Sequence, residues 1–317
     1  MGKIAFLFPG QGSQKVGMGA TLFAEDSLAK EVLERADKAL GFPLSEIIEH
    51  GPEEKLKQTA YAQPALVTMS TAVLQLFRDA DIQADFVAGH SLGEYSALVA
   101  CKSLTFEDAV TLVHQRGTLM EEAVPQGQGA MAAVLGLNKE ELEEVASEIA
   151  ADGEVAELAN LNCPGQIVLS GTAKGIEQAA VLAKQKGAKR VLPLAVSGPF
   201  HSSLMKPAAD QFKQALEQAP FANPTVPLIA NVTAEVTDAP EVIREQLAEQ
   251  IYSPVRFEES VRRMIELGVD TFIEIGAGNV LCGLVRKIDR NLRTFAVSDR
   301  ESFEKMAAAL KGDKHSC

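Results

Sequence analysis

The segment Asp85-Phe86-Val87-Ala88-Gly89-His90-Ser91-Leu92-Gly93 constrains this chain more than any other. A short apolar run enters a turn of the form G-x-S-x-G, and a helical pattern leaves it over residues 91–100. Strand, sharp turn and helix in that order belong to an α/β fold with a parallel sheet. The glycines have a steric reason: a turn this sharp strains the backbone at the serine, and bulk on either side would block it. Ser91 then stands at a helix N-terminus, where free N–H groups and the helix dipole favour developing negative charge. Two readings follow, a nucleophile elbow or a Gly-rich turn whose serine caps the helix, and the strand before with the helix after favours the elbow.

The same alternation continues along the chain. Residues 3–8 form an apolar run followed by Pro9-Gly10-Gln11-Gly12-Ser13-Gln14, and helical periodicity covers residues 25–40 and 64–78. Thr105-Phe106-Glu107-Asp108 fits the pattern of a helix start, opening a helix that runs to about Ala123. Residues 125–129, Pro-Gln-Gly-Gln-Gly, then make a plausible linker. Beyond it, strands are expected over 130–137, 155–162, 166–172 and 189–195, with helices over 139–150 and 175–186. That order, βαββαβ, is ferredoxin-like. The expected layout is a larger α/β domain, residues 1–126 and 197–317, carrying a ferredoxin-like subdomain at 127–196. A further strand at 269–275 precedes Gly276-Ala277-Gly278 and a helix.

Composition excludes several classes. With 317 residues, 46% of them hydrophobic, the chain can bury a real core, yet no apolar run is long enough to span a bilayer. The start reads as a buried strand rather than a secretory signal, because no small-residue cleavage site follows it. Cys101, Cys163, Cys282 and Cys317 are widely spaced, so free thiols in a reducing cytoplasm are expected, with no zinc site. A net charge of −13 argues against nucleic acid.

A serine nucleophile needs a base, and the chain has five histidines to choose from. His315 lies in a polar tail, His50 in a loop before Gly51-Pro52, and His90 faces away if the turn presents Ser91. His114 falls within a helix. His201 sits in Ser197-Gly198-Pro199-Phe200-His201-Ser202, a loop after a strand, where a rigid sheet positions catalytic groups, and is the preferred base. Capping the following helix is its alternative role, and no acidic third member can be singled out. Arg116 is out of place: Leu112, Val113, Leu119 and Met120 stand three and four residues either side, so its guanidinium lies on an apolar face. A buried guanidinium requires an anion, either an internal carboxylate or that of a substrate, unless the side chain reaches solvent.

Taken together these segments resemble the malonyl-CoA:acyl-carrier-protein transacylases of bacterial fatty-acid synthesis. The likeness runs along essentially the whole chain, in order and spacing. It is carried by Phe8-Pro-Gly-Gln-Gly-Ser-Gln14, Gly89-His-Ser-Leu-Gly-Glu94, Gln115-Arg-Gly117, Asn160-Leu-Asn-Cys-Pro-Gly-Gln166 and Gly198-Pro-Phe-His-Ser202, then Gln250-Ile-Tyr-Ser-Pro-Val255 and Glu274-Ile-Gly-Ala-Gly278. The resemblance implies an α/β-hydrolase-like core with a ferredoxin-like insertion, Ser91 as nucleophile and His201 as base. It implies an oxyanion hole from the backbone N–H groups of Gln11 and Leu92, and a main-chain carbonyl at Gln250 that orients the histidine in place of an acid. Arg116 would bind the malonyl carboxylate, with Asn160 and Asn162 near the cleft. Leu92 and Phe200 resemble the malonyl-selective members, Phe200 crowding an α-methyl group. The implied reaction is a ping-pong transfer from malonyl-CoA to the phosphopantetheine thiol of acyl carrier protein, by a cytoplasmic, monomeric enzyme without cofactor or metal.

Such carrier proteins are acidic, as is this chain. Local basic clusters, Lys184, Lys186, Lys189 and Arg190, and Arg286, Lys287, Arg290 and Arg293, offer docking sites, with Lys189, Arg190, Arg286 and Lys287 the expected core. A serine esterase or thioesterase would share the elbow but hydrolyse its ester. A dinucleotide-binding module rests on Gly276-Ala277-Gly278 alone, and a non-catalytic scaffold would not need Ser91.

Overall fold

The computed structural model describes residues 2–314; His315 and Cys317 lie outside the described residues. Among the described residues ten strands run in chain order: β1 Lys3–Phe8, β2 Phe86–Gly89, β3 Gly129–Leu135, β4 Ala156–Cys163, β5 Gln166–Thr172, β6 Arg190–Pro193, β7 Leu228–Ile229, β8 Val236–Thr237, β9 Val269–Ile275 and β10 Arg293–Val297. They make two sheets, β10-β9-β1-β2-β7-β8 and β4-β5-β3-β6.

In the first sheet every neighbouring pair is parallel except β7 and β8. The expected parallel sheet therefore needs one correction. Only residues 230–235 separate β7 from β8, which is too short for a crossover, so they pair as a hairpin. Its buried strands use both faces, as parallel strands covered on both sides do. Phe6, Phe8, Val87, Ile273 and Ile275 point into one core, beneath the helices Ser27–Leu40, Thr59–Leu74 and Phe106–Glu122. Ala5, Leu7, Phe86, Ala88 and Phe272 point into another, beneath Phe257–Glu266 and Val280–Ile288. The Thr59–Leu74 helix is buried almost all round, so its sequence has no polar face. Gly117 lets it lie close against Phe106–Glu122: a Cβ there would come within 2.6 Å of the Thr59 carbonyl oxygen. That contact carries Arg116, the next residue, into the centre of the molecule.

The second sheet is antiparallel throughout, with Lys139–Ala151 and Ala173–Gln185 packed on it and a core of its own around Val134, Leu142, Val145, Leu169 and Ile176. It joins the first unit along β4, where Leu161 N–H donates to the Val255 carbonyl at 2.9 Å and Val255 N–H to that of Ala159 at 2.8 Å. The expected elements here all form, with ends shifted by a residue or two. The Thr105 side chain accepts from Asp108 N–H and caps the helix predicted from it. One local reading was wrong: His50 is not in a loop but ends the helix Leu44–His50, whose flanking prolines and glycines disguise it as a turn. Among the described residues, no helix is long and apolar enough to cross a membrane, and Cys101, Cys163 and Cys282 are buried and unpaired.

Candidate active site

Ser91 stands two residues beyond the end of β2 and has a positive φ of 53°, a left-handed conformation costing a non-glycine residue about 1–3 kcal/mol. The flanking glycines are sterically required. A Cβ on Gly89 would lie 1.9 Å from the Gly93 carbonyl carbon, and one on Gly93 would lie 2.1 Å from the Phe8 carbonyl oxygen. The turn thus wedges the start of its helix, Gly93–Ala100, against the end of β1.

His201 also has a positive φ, 59°. Its loop is pinned by its own N–H on the Ile251 carbonyl (3.1 Å) and by Ser202 Oγ on the Pro199 carbonyl (2.6 Å). His201 Nδ1 lies 2.7 Å from the Gln250 carbonyl oxygen, and Nε2 lies 2.8 Å from Ser91 Oγ. A carbonyl can only accept, so Nδ1 carries the hydrogen and the Nε2 lone pair faces the serine hydroxyl. Among the described residues no carboxylate bonds to His201. Burial, and then the positive charge of Arg116, push the imidazole pKa down to about 3, against the opposing pull of the Gln250 carbonyl. The ring is therefore a neutral acceptor over the whole ordinary pH range.

Arg116 is completely buried. Its Nη2 donates to Ser91 Oγ at 3.1 Å and to Gln250 Oε1 at 2.9 Å, and Nη1 donates to Gln63 Oε1 at 2.9 Å. Nε has no partner among the described residues. Neither alternative weighed for this residue holds: among the described residues no carboxylate forms an ion pair with it, and it does not reach solvent. Glu94 and the Tyr95 hydroxyl act on it through space only, and burial pushes its pKa down. The cation is thus held by neutral groups, with one N–H unused and no anion paired with it among the described residues.

Ser91, His201 and Gln63 line a cavity of about 330 Å³ together with Gln11, His90, Asn160 and Phe200, with Arg116 and Gln250 buried behind that lining. Leu92 is buried behind the turn. Among the described residues, neither the Gln11 nor the Leu92 N–H donates to another main-chain group of the chain. Asn162 does not line the cavity. Its Oδ1 lies 2.8 Å from Nε2 of the half-buried His90, whose pKa desolvation lowers. His114 packs against Phe42 and Tyr61 with Nδ1 on the Ala60 carbonyl, away from the site.

Sequence reasoning missed Gln63, Glu94, Asn231 and the side chain of Gln250. Glu94 alone carried a signal, a charge in the first turn of an apolar helix. The exposed Lys189 precedes β6 and the exposed Arg190 begins it, while the exposed Arg286 and Lys287 lie in the last turn of the helix Val280–Ile288. Both pairs reach one end of the second sheet: Leu135 pairs with Arg190 and with Gln166, and Lys287 Nζ donates to Gln166 Oε1 at 2.8 Å. Lys186 is instead tied to Glu144 and Glu148, at 2.9 and 3.1 Å.

Residues 5–307 match the family model described as acyl transferase domain. The chain is 55% identical over 311 residues to the malonyl CoA-acyl carrier protein transacylase of Bacillus subtilis (strain 168), covering 98% of each chain. The crystal structure of acyl-carrier-protein-S-malonyltransferase from Bartonella henselae superposes with a TM-score of 0.94 at 43% identity, over 98% of this chain and 99% of that one. A malonyl-transacylase solved in complex with its type II PKS acyl-carrier protein does so with 0.94 at 41% identity, over 97% and 99%.

Proposed function

The chain belongs to the acyl transferase family, and from that membership we infer that it moves a malonyl group from malonyl-CoA to the phosphopantetheine thiol of acyl carrier protein. Ser91 is the nucleophile and His201 its base, a reading supported by the 2.8 Å contact between Oγ and Nε2. Oγ attacks the thioester carbonyl carbon while Nε2 takes the hydroxyl proton. The tetrahedral oxyanion is held by the N–H groups of Gln11 and Leu92. Its collapse expels the coenzyme A thiolate, which takes the proton from Nε2 and leaves a malonyl-serine ester. The carrier thiol then gives its proton to Nε2 as its sulfur attacks the ester, and Ser91 leaves with the proton returned to it. The Gln250 carbonyl stands where an acid would otherwise orient the base.

One observation carries the choice of acyl group: the guanidinium of Arg116 is buried, short of partners, and within 3.1 Å of Ser91 Oγ. A malonyl group bears its carboxylate on the CH2 next to the thioester carbonyl, close enough for nucleophile and cation to be engaged together. An acetyl group leaves the cation uncompensated. Phe200 and Asn160 shape the wall of the cavity, and Asn162 fixes His90 beside the nucleophile.

We read the larger unit, residues 1–126 and 197–317, as α/β-hydrolase-like, and residues 127–196 as an inserted ferredoxin-like subdomain. The sheet order β4-β5-β3-β6 supports the latter. Three buried, unpaired cysteines support a cytoplasmic setting. Lys189, Arg190, Arg286 and Lys287 form the docking surface for the acidic carrier.

The test is single-turnover acylation by malonyl-CoA and by acetyl-CoA in wild type and Arg116→Ala, followed by addition of carrier protein. Wild type should pass malonyl to the carrier thiol, and Arg116→Ala should lose roughly 100-fold or more with malonyl while acetyl transfer changes far less. Equal losses with both substrates would sink the carboxylate role, and release of free malonate regardless of carrier would favour an esterase.

A further inference from the structure

The left-handed Ser91 peptide has one local hydrogen bond, from Glu94 N–H to its carbonyl at 3.0 Å, and is clamped by two distant side chains. Its N–H donates to Asn231 Oδ1 at 2.7 Å, and its carbonyl accepts from Gln250 Nε2 at 3.0 Å. Both amides have one possible orientation. Gln250 Oε1 must face Arg116, which can only donate, so Nε2 faces acceptors. Asn231 Oδ1 must face the Ser91 N–H, so its Nδ2 donates to the Gly89 carbonyl, at 2.6 Å.

Both clamps meet at one carboxylate. Glu94 Oε2 accepts from Gln250 Nε2 at 2.6 Å and from the Asn231 main-chain N–H at 3.2 Å. Glu94 is only 2% exposed and lies three residues beyond the nucleophile, in the first turn of the helix that the elbow opens. The turn after β7, the strand paired with β2, delivers Asn231, and the helix Pro240–Gln250 delivers Gln250. Without an acceptor at position 94, the Asn231 N–H would lose its partner, and the Gln250 amide would be free to turn away from both Ser91 and Arg116.

We propose that Glu94 is a positioning residue, acting through Asn231 and Gln250 to hold the Ser91 peptide and the Arg116 guanidinium in register with each other. It touches neither substrate nor the reacting atoms. Gln250 thereby serves all three groups of the site, His201 through its carbonyl and Ser91 and Arg116 through its side chain. The role asked of Glu94 is that of an acceptor rather than a charge. Burial raises its carboxyl to about 7 against the hydrogen bonds of Gln250 and Asn231 and the nearby Arg116. Both bonds end on Oε2, so a proton on Oε1 leaves them in place.

This inference rests on the functional reading above, and its test keeps the two apart. Single-turnover acylation by malonyl-CoA and acetyl-CoA is measured for wild type, Glu94→Gln, Glu94→Leu and Asn231→Ala, with thermal melting to confirm folding. Glu94→Gln, which keeps one carbonyl oxygen, should stay within about threefold of wild type. Glu94→Leu and Asn231→Ala should each slow malonyl acylation about 10- to 100-fold, and Glu94→Leu should also lower the malonyl-to-acetyl ratio as Arg116 loses its register. If Glu94→Leu does not fold, Asn231→Ala and Glu94→Gln decide the matter. Folded Glu94→Leu or Asn231→Ala acylated at the wild-type rate would overturn the proposal, as would Glu94→Gln as slow as Glu94→Leu. A wild-type enzyme that forms no serine adduct would overturn the functional reading itself, before any substitution is compared.

Discussion

The Ser91 hydroxyl sits between two groups with opposite demands. Its hydrogen points to a neutral imidazole and its oxygen accepts from a guanidinium. Burial, and then the same guanidinium, lower the imidazole, so the free site holds a weak base that is neutral at ordinary pH. The sign of the pH dependence follows. Protonation of His201 removes the base, and in free enzyme this occurs near its depressed value of about 3 rather than near 6.5. For malonyl acylation, kcat/KM should therefore stay flat down through pH 6.5 and fall only well below it. Once a malonyl carboxylate neutralises Arg116, part of that depression is lifted, so the acid limb of kcat should lie above that of kcat/KM. A limb at 6.5 in kcat/KM, or the reverse order of the two limbs, would contradict this account of the dyad.

Residues of this kind differed in how legible they were. Ser91 could be read because glycines at fixed offsets are required by a turn, and Arg116 because helical spacing alone puts it on an apolar face. Gln63, Asn231 and the Gln250 side chain could not. Each is an ordinary amide whose role exists only once elements distant in sequence are brought together.

At the scale of elements, each functional group is delivered by an end or a close contact. β2 ends two residues before the nucleophile, the loop after β6 carries the base, and Pro240–Gln250 ends at the carbonyl that orients it. The Thr59–Leu74 and Phe106–Glu122 helices bring Gln63 and Arg116 together because Gly117 lets their backbones approach. Elements with a local signal were legible: the Thr105 cap, the alternation in β3 to β6, and the glycines of the elbow. The Leu44–His50 helix was hidden by turn-forming residues at both ends, since Pro43 and Gly51 are also what a short helix uses to start and stop. The β7–β8 hairpin has two residues per strand, too few for a period to show. Its importance lies in the turn between them, which holds Asn231 beneath the elbow.

For the whole molecule, the question is how an acidic protein receives an acidic partner. The net charge of −13 works against encounter, so attraction has to be local. Basic residues nearly a hundred positions apart lie at one end of the second sheet, where Lys287 reaches Gln166, two strands across from Arg190. β6 runs from there to Leu194, which lines the cavity. Reversing charge at Lys189, Arg190, Arg286 and Lys287 should slow transfer to carrier protein, most strongly at low salt, and spare acylation by malonyl-CoA. Equal effects on both half-reactions, or none, would count against this surface.

The central claim is that a carboxylate-bearing acyl group is held covalently on Ser91, and one measurement reaches it most directly. Wild-type protein is mixed briefly with malonyl-CoA, quenched, digested and mapped by mass spectrometry. The account predicts a malonyl adduct on the peptide containing Ser91, lost in Ser91→Ala and discharged when carrier protein is added. An adduct on another residue, or one that persists in Ser91→Ala, would contradict it.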